Sequence, residues 1–225
     1  PTIEKKRYLD KISNTKILGV YNLNDNNLDQ NQDRLLCKYI NDKIKKADLV
    51  IVSDYGHGFI SKEAIKYICK NSKFLALNTQ INAFNIGHHS LKKYHKVDFL
   101  IINEKELRYE LREKDLKIEK LIKRTINFSR IKNLMLTRGK NGSIFYSKKT
   151  NKFNYCPAFA SKVIDKVGAG DTMLSIVAPL IKNSFDIKFS MFIGALSAAQ
   201  SVESISNSLI LDKLKLIKYA KYMLK

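Results

Sequence analysis

A run of small residues followed by a carboxylate gives this sequence its clearest chemical signal. The run is Gly168-Ala169-Gly170-Asp171, and an apolar stretch of helical length begins at Thr172. The first backbone N–H groups of a helix lack partners within the helix, so they can bind an anion such as phosphate. Glycine and alanine leave room for a phosphoryl group to approach. Asp171 could then take a proton from a hydroxyl, although an N-cap role after a flexible loop would also explain this residue.

A second polar cluster follows the apolar run that ends at Ile102. It places an amide and a carboxylate, Asn103 and Glu106, at the start of a stretch of helical length. Asparagine is a favoured N-cap residue, and carboxylate oxygens are ligands that magnesium prefers, often through bound water. The cluster therefore predicts the start of a helix. Asn103 and Glu106 either serve only the fold there or also hold a magnesium-bound water.

A glycine-containing loop separates two further apolar runs. Thr137, Gly139 and Gly142 have the spacing T-x-G-x-x-G, which predicts a loop whose backbone lies against a nucleotide. The pair Asn141-Gly142 is equally typical of a type I′ hairpin turn. The sequence contains no G-x-x-x-x-G-K-[S/T] segment, so a Walker A loop is excluded.

Two more apolar runs end in residues suited to bind a polar small molecule. After Leu49–Ser53 comes Asp54-Tyr55-Gly56-His57-Gly58, where two glycines allow a ligand to approach closely. After Phe74–Leu77 comes Asn78-Thr79-Gln80-Ile81-Asn82, whose neutral hydrogen-bonding groups suit sugar hydroxyls. A plain strand-to-helix turn and a polar loop would account for the same residues.

Short apolar runs alternate with amphipathic stretches through most of the chain. The predicted strands are Thr15–Val20, Leu49–Ser53, Phe74–Asn78, Phe99–Ile102, Asn133–Thr137 and Ser143–Tyr146. The predicted helices are Gln32–Lys45, Ser61–Lys70, Glu104–Arg112, Lys117–Phe128, Thr172–Ile181, Ile187–Val202 and Leu211–Leu224. This alternation predicts one α/β domain over residues 1–225 with a largely parallel sheet. Ligands in such folds bind at the carboxyl ends of strands, where the polar clusters lie.

The composition limits the classes of partner. Lysine and arginine number 41 against 21 acidic residues, a formal net charge of +20 in 225 residues. The excess is mostly lysine and is spread along the chain, so we expect a solvated basic surface that suits anionic substrates, with no specific nucleic-acid binding. No run of about 18 apolar residues occurs, so we expect no membrane span. Three cysteines far apart in sequence, without a C-x-x-C pair, favour a reducing cytoplasm.

The segment Asp165–Thr172, D-K-V-G-A-G-D-T, resembles the C-terminal signature of the ribokinase-like (PfkB) carbohydrate kinases. The stretches Asn103–Glu106 and Thr137–Gly142, and the helix through Gly194–Ala199, lie in the order that this family requires. The segment Val52–Gly58, V-S-D-Y-G-H-G, resembles more narrowly the heptose-phosphate kinase branch, whose enzymes make nucleotide-activated heptose precursors for surface polysaccharide. The resemblance covers essentially the whole chain.

The resemblance implies a ribokinase-like layered fold, in which helices flank a mainly parallel central sheet and a small β lid covers the sugar site. It also implies direct transfer of the γ-phosphoryl group from ATP, with Mg2+, to a sugar or sugar-phosphate hydroxyl. The catalytic residues would be Asp171 as general base and, as the anion hole, Gly168, Ala169 and Gly170. The residues that contact ATP would be Thr137, Gly139, Gly142 and Asn207. Magnesium would bind through water at Asn103 and Glu106. The substrate would contact Asp54, Gly56 and Asn78.

Two segments depart from the heptose-phosphate kinase pattern. His57 stands where that branch usually has a lysine, and Asn78-Thr79-Gln80 stands where D-P-K-like residues are usual. Both changes remove charge from the expected acceptor side. A heptose phosphate, another sugar and a nucleoside therefore all stay open as acceptors.

The front of the family domain, with its glycine-rich sugar motif, has no counterpart in this sequence. Residues 1–10 resemble the lid segment, so we expect an N-terminally truncated fold that forms the C-terminal two-thirds of a kinase domain in a longer chain. Such a piece should expose a sheet edge and apolar surface that another segment or chain covers, and a homo-oligomer stays open. A catalytically silent nucleotide-binding module of a larger protein is the alternative function, although the intact G-A-G-D run argues against it.

Overall fold

The computed structural model of this chain describes residues 3–12, 16–22, 26–81, 85, 90–203 and 211–224. The strands are β1 (Glu4–Leu9), β2 (Lys16–Asn22), β3 (Val50–Asp54), β4 (Leu75–Thr79), β5 (Val97–Asn103), β6 (Ile131–Thr137), β7 (Ser143–Ser147) and β8 (Lys152–Cys156). The α-helices are α1 (Gln30–Ile44), α2 (Lys62–Asn71), α3 (Glu104–Leu111), α4 (Ile118–Ser129), α5 (Ala169–Lys182), α6 (Ile187–Val202) and α7 (Lys213–Met223).

A six-stranded sheet in the order β3-β4-β5-β6-β7-β8 forms the centre of the molecule. Strands β3 to β6 are parallel, and β7 and β8 are antiparallel to their neighbours. Strand β5 reads VDFLIIN and is buried over six of its seven residues, as expected for a parallel strand covered on both faces. The predicted α/β fold with a mainly parallel sheet is confirmed.

Alternate residues of the sheet face two different helical layers. Leu100 and Ile102 of β5 belong to the core that also contains Leu107 of α3 and Leu121 of α4. Phe99 and Ile101 point the other way, into the core formed with α5 and α6. The two-residue side-chain period of a strand produces this division, and it decides which cluster residues can meet on one face.

Strands β1 and β2 form a separate antiparallel hairpin. We predicted only β2 there, since EKKRYL is charged, lies exposed over its whole length and lacks the alternation that marks a half-buried strand. Strand β8 was missed for a similar reason, because KFNYC carries few β-branched residues. The interpretation of the hairpin as a lid stays a prediction.

Helix α5 begins at Ala169, three residues earlier than predicted. Gly168 is its N-cap residue, with φ of 82° in the left-handed region that favours glycine. Asp171 is therefore in the first helical turn. The alternative N-cap role for Asp171 is wrong, because Gly168 holds that position.

Helices α5 and α6 pack closely at a glycine. A Cβ added to Gly194 of α6 would lie 2.4 Å from a methyl carbon of Val177 in α5. Val177 itself is fully buried. This close contact fixes α5, and with it the position of Asp171, against the rest of the fold.

Candidate active site

The polar clusters that follow the parallel strands meet at one edge of the sheet. Strands β5 and β6 end side by side, with Asn103 paired to Thr137 in the parallel register. Strand β3 ends at Asp54, and the amino end of α5 reaches the same edge through Asp171. The carboxyl ends of parallel strands thus bring sequence-distant clusters together, as predicted.

Two hydroxyl groups hold the Asp171 carboxylate. Ser53 Oγ donates to Oδ1 at 2.8 Å, and the Tyr55 hydroxyl donates to Oδ2 at 2.8 Å. Each carboxylate oxygen keeps further lone-pair capacity, so Asp171 is oriented without being saturated. The predicted base is therefore a fixed and partly buried carboxylate.

Sequence reasoning missed both of these donors. They alternate with Asp54 along one strand end, so their side chains share the face opposite to that of Asp54. The alternation of side chains along this strand end was the signal that could have identified both donors.

Burial, the hydrogen bond to Asp171 and the negative charge of Asp171 all raise the pKa of Tyr55. Tyr55 therefore stays a protonated donor at neutral pH.

The amino end of α5 is open to a ligand. Thr172 N donates to Gly168 O at 2.8 Å, so the backbone N–H groups of Ala169 to Asp171 precede the first intrahelical bond. No side chain caps this helix end among the described residues. A Cβ added to Gly170 would meet no atom within 4 Å. The helix end at Gly168, Ala169 and Gly170 is therefore uncapped and open, and its role as an anion hole stays a prediction.

Asn103 and Glu106 form the capping box of α3. Asn103 Oδ1 accepts from Lys105 N at 2.9 Å, and Glu106 Oε2 accepts from Asn103 N at 3.1 Å. The N-cap role that we considered for Asn103 is thus confirmed. A magnesium role is compatible with it, because a carboxylate oxygen has more than one lone pair.

The surroundings of the Glu106 carboxylate favour a bound cation. Burial, as the largest cause, and the charge of Asp171 raise its pKa to about 7, against the lowering effect of backbone donors at Asn103 and Ile81. A cation between the two carboxylates would relieve their repulsion. The described residues contain no group of three or more His, Cys, Asp or Glu placed to hold a metal. Magnesium at this edge would therefore take most of its ligands from water and phosphate oxygens.

The two glycines of the loop after β6 differ in what surrounds them. A Cβ added to Gly142 would lie 2.0 Å from Cys156 O, and its φ is 74°. Gly139 has φ of 57°, but a Cβ there would meet nothing within 4 Å. Gly142 therefore serves the fold, whereas Gly139 leaves open space that a nucleotide could occupy. The loop is longer than a two-residue turn, because a 3₁₀ turn spans Gly139–Asn141.

An ion-pair cluster ties this loop to α3. Glu104 Oε2 accepts from Arg138 Nε at 2.9 Å, and Glu104 Oε1 accepts from Arg108 Nη2 at 2.8 Å. Although burial alone would raise the pKa of Glu104, the hydrogen bonds from Arg138 and Arg108 lower it. We did not predict this cluster, because Arg138 is 34 positions away from Glu104 and only the sheet brings these two residues together, although Arg108 lies one helical turn after Glu104.

The predicted substrate residues have partners within the fold. Asp54 is 5% exposed, and its carboxylate accepts from the Tyr94 hydroxyl at 2.8 Å and from Gly56 N at 2.9 Å. Asn78 Nδ2 donates to Ile101 O at 2.9 Å. Contacts of Asp54, Gly56 and Asn78 with a substrate stay predictions. Asn207, the predicted adenine-side residue, lies outside the described residues.

The fold is that of ribokinase. The ribokinase of Thermotoga maritima superposes with a TM-score of 0.73 at 18% identity, over 98% of this chain and 70% of that chain. Phosphofructokinase-2 of Escherichia coli gives 0.70 at 13% identity, over 88% of this chain and 64% of that chain. At these identities the likeness concerns the fold alone.

The sequence profile described as "pfkB family carbohydrate kinase" matches residues 12–213. The chain belongs to this family. Its relatives include the bifunctional protein HldE of Campylobacter concisus, 30% identical over 162 residues, which are 71% of this chain and 33% of that protein. The HldE of Wolinella succinogenes is 22% identical over 212 residues, 92% of this chain and 43% of that protein. The chain thus spans less than half the length of these relatives. Within the described residues, no helix is long and apolar enough to cross a membrane.

Proposed function

We propose that this chain carries the phosphoryl-transfer site of an ATP-dependent carbohydrate kinase. The observation that supports this most strongly is the Asp171 carboxylate, which two hydroxyls orient at the open amino end of α5. A base and an anion site within one helical turn are what phosphoryl transfer to a hydroxyl needs. Membership of the pfkB family supports the same reaction.

In the proposed reaction, Asp171 accepts the proton of the acceptor hydroxyl. The acceptor oxygen forms a new bond to the γ-phosphorus, the bond from that phosphorus to the bridging oxygen breaks, and ADP leaves. The N–H groups of Ala169 and Gly170 hold the negative charge that develops on the transferring group. Mg2+, held through water at Asn103 and Glu106, would neutralise phosphate charge. Thr137 and Gly139 line the nucleotide side.

The acceptor is a sugar or a sugar phosphate. The HldE relatives are the reason to propose a heptose phosphate as the acceptor, in the synthesis of surface-polysaccharide precursors. This chain covers only a small share of those proteins. ATP is the phosphoryl donor, so we place the reaction in the cytoplasm.

A catalytically silent nucleotide-binding module is the second candidate function. It is favoured by the observation that two predicted substrate residues, Asp54 and Asn78, make side-chain hydrogen bonds within the fold. A silent module would bind MgATP without transferring its phosphoryl group.

Thermal unfolding with and without a non-hydrolysable ATP analogue and Mg2+ tests the nucleotide site first. A ligand that binds only the folded chain stabilises it by about 2.7 kcal/mol at 100 times its dissociation constant. We expect a magnesium-dependent shift of the unfolding temperature to a higher value. In a separate assay with ATP and a sugar acceptor, we expect release of ADP. A shift without ADP release from any sugar or sugar phosphate would favour the silent module. A folded chain that shows no shift would contradict both candidates.

A further inference from the structure

Tyr94 lies in the core with its hydroxyl directed at the end of β3. Its side chain is fully buried in the cluster that also contains Leu77 and Leu100. The hydroxyl donates to Asp54 Oδ2 at 2.8 Å, although the two residues are 40 positions apart. A buried tyrosine hydroxyl needs an acceptor, and this one uses a carboxylate next to the candidate active site. The contact therefore joins the core to the loop that follows β3.

The Asp54 carboxylate shapes the turn around Tyr55. Its other oxygen, Oδ1, accepts from Gly56 N at 2.9 Å, which closes a short turn over Tyr55. Gly56 has φ of 70°, in the left-handed region that favours glycine. The main-chain oxygen of Asp54 accepts from Gln80 N at 2.9 Å, so the start of the turn is also fixed to the chain after β4. One carboxylate thus links the buried Tyr94 hydroxyl to the backbone around Tyr55.

A buried amide holds the same turn from the neighbouring loop. Asn85 is 3% exposed, and its Nδ2 donates to Tyr55 O at 2.9 Å and to Gln80 O at 2.8 Å. The two acceptors follow β3 and β4, so one side chain ties two strand ends together. The Lys5 ammonium of the β1–β2 hairpin lies 5.4 Å from the centroid of the Tyr55 ring. The backbone of Tyr55 is therefore held from the buried side of the loop, and its ring faces the candidate active site.

The end of β3 carries this arrangement to the proposed base. Side chains alternate along a strand, so Asp54 faces the core while its two neighbours, Ser53 and Tyr55, face the other way. Both of these hydroxyls donate to the Asp171 carboxylate at 2.8 Å. Because Asp54 lies between the two donors in the chain, a shift of its carboxylate would also move the backbone that carries them. The orientation of the base thus depends on a contact made on the opposite face of the sheet.

The Tyr94 hydroxyl is suited to this role because its partner is a buried carboxylate. Asp54 is 5% exposed, and hydrogen bonds to a charged group are about twice as strong as those between neutral groups. Burial, the charge of Asp54 and the hydrogen bond itself raise the pKa of Tyr94, so the hydroxyl stays a donor at neutral pH. Without this donor the carboxylate would turn towards solvent or towards other donors, and the turn over Tyr55 would loosen.

We propose that Tyr94 is a positioning residue for the candidate active site, which through Asp54 fixes the turn that aims the Tyr55 hydroxyl at Asp171. The inference rests on the proposed function, because the purpose of that aim is to orient a base. It also gives Asp54 a role that does not require contact with a substrate.

NMR of the chain labelled with ¹³C at the tyrosine Cζ atoms tests the link directly, since these resonances report the hydrogen bonding and ionisation of each phenol. Tyr55→Phe assigns the Tyr55 resonance by its loss. The test variants are Tyr94→Phe, which keeps the buried ring, and Asp54→Asn, which keeps the size of the side chain. The control is Tyr146→Phe, because Tyr146 is buried in the same core cluster and donates to Asn151 Oδ1 at 2.7 Å, at the turn between β7 and β8.

We expect Tyr94→Phe to move the Tyr55 resonance and to lower the pKa of Tyr55. Burial and the hydrogen bond to Asp171 hold that pKa above its ordinary value, so a loosened turn should let it fall. Asp54→Asn should act in the same direction, because a single amide oxygen replaces two carboxylate acceptors. Tyr146→Phe should leave the Tyr55 resonance and its pKa unchanged.

Turnover of an active full-length protein gives a second readout. ADP release is measured with ATP, Mg2+ and a panel of hexoses, heptoses and their phosphates. We expect Tyr94→Phe to lower kcat roughly tenfold and to leave the dissociation constant of an ATP analogue unchanged, since misplacement by about 1 Å can cost about a hundredfold in rate. In a Tyr55→Phe background, Tyr94→Phe should have little further effect, because the link is already broken.

An unchanged Tyr55 resonance in both Tyr94→Phe and Asp54→Asn would overturn the inference, as would equal effects of Tyr94→Phe and Tyr146→Phe on that resonance. An undiminished loss of kcat by Tyr94→Phe in the Tyr55→Phe background would also overturn it, because Tyr94 would then act by another route. If Tyr94→Phe does not fold, Asp54→Asn decides the NMR result. A moved Tyr55 resonance in a protein that transfers no phosphoryl group would support the link and contradict the proposed function.

Discussion

At the residue scale, the candidate site depends on a carboxylate whose surroundings prepare it to accept a proton. Ser53 and Tyr55 fix both oxygens of Asp171 from one side, and the open N–H groups of α5 begin within the same turn. Hydroxyl donors orient the carboxylate without adding a positive charge that would compete for phosphate.

Asp171→Asn should abolish most phosphoryl transfer while leaving ATP binding nearly unchanged. The amide cannot accept the proton, and a positioned base contributes on the order of 10²–10⁴ in rate. Turnover and the dissociation constant of an ATP analogue are measured on an active full-length protein. Asp186→Asn, which changes an N-cap carboxylate of α6 away from the site, serves as the control. Retention of most turnover in Asp171→Asn would show that another group is the base.

Glu106 should make folding stability depend on pH when no metal is present. Its pKa is raised to about 7 in the folded chain, above the value of an exposed glutamate. The folded state therefore disfavours the ionised form, and stability should decrease as pH rises from about 4.3 to about 7. Urea unfolding across this range measures the effect. Glu106→Gln should remove this part of the pH dependence, and an unchanged profile would contradict the assignment.

At the element scale, the loop after β6 contains one glycine that the fold requires, Gly142, and one that faces open space, Gly139. Arg138 ties the loop to Glu104 at the start of α3, next to the proposed magnesium residues Asn103 and Glu106. Gly142 lets the loop close against β8, whereas Gly139 leaves the outer surface free.

Gly142→Ala should destabilise the chain more than Gly139→Ala. Both positions have positive φ, which costs roughly 1–2 kcal/mol for alanine. Only Gly142→Ala adds a clash with a backbone oxygen, so we expect a loss of several kcal/mol at that position. Urea midpoints compare the two variants. Equal losses would mean that the clash is relieved by a movement of β8.

At the scale of the whole molecule, the sheet ends in an edge strand on each side among the described residues, β3 at the parallel end and β8 at the antiparallel end. Strand β3 pairs with β4, and β8 pairs with β7. Ile51 of β3 is 42% exposed, although strands of parallel sheets are usually covered on both faces. Strand β3 thus presents an open edge that carries an exposed apolar side chain.

The β3 edge should make the isolated chain associate as its concentration rises. Open edges with apolar side chains pair with other chains, and a charge on the edge opposes this. Ile51→Lys should shift the chain towards the monomer, as measured by light scattering after gel filtration. Ile12→Lys, at a 93% exposed position outside the sheet, is the matched control. A strictly monomeric chain at all concentrations would contradict the prediction.

The sequence by itself determined the fold class and most of the elements, and it supplied the principal candidate site residues. Periodic apolar runs predict strands and helices locally, and the G-A-G-D run predicts an anion site from backbone chemistry alone. The charged β1 was invisible to that reasoning, since a strand exposed on both faces has no apolar alternation.

Only the tertiary structure decided which side chains meet. The donors to Asp171 come from β3, more than a hundred positions earlier, and Lys5 arrives from a separate hairpin. The partner of Arg138 follows a neighbouring strand. Such contacts depend on strand order and on which face each side chain takes. Both are settled when the sheet assembles, because the helices then bury its two faces in separate layers.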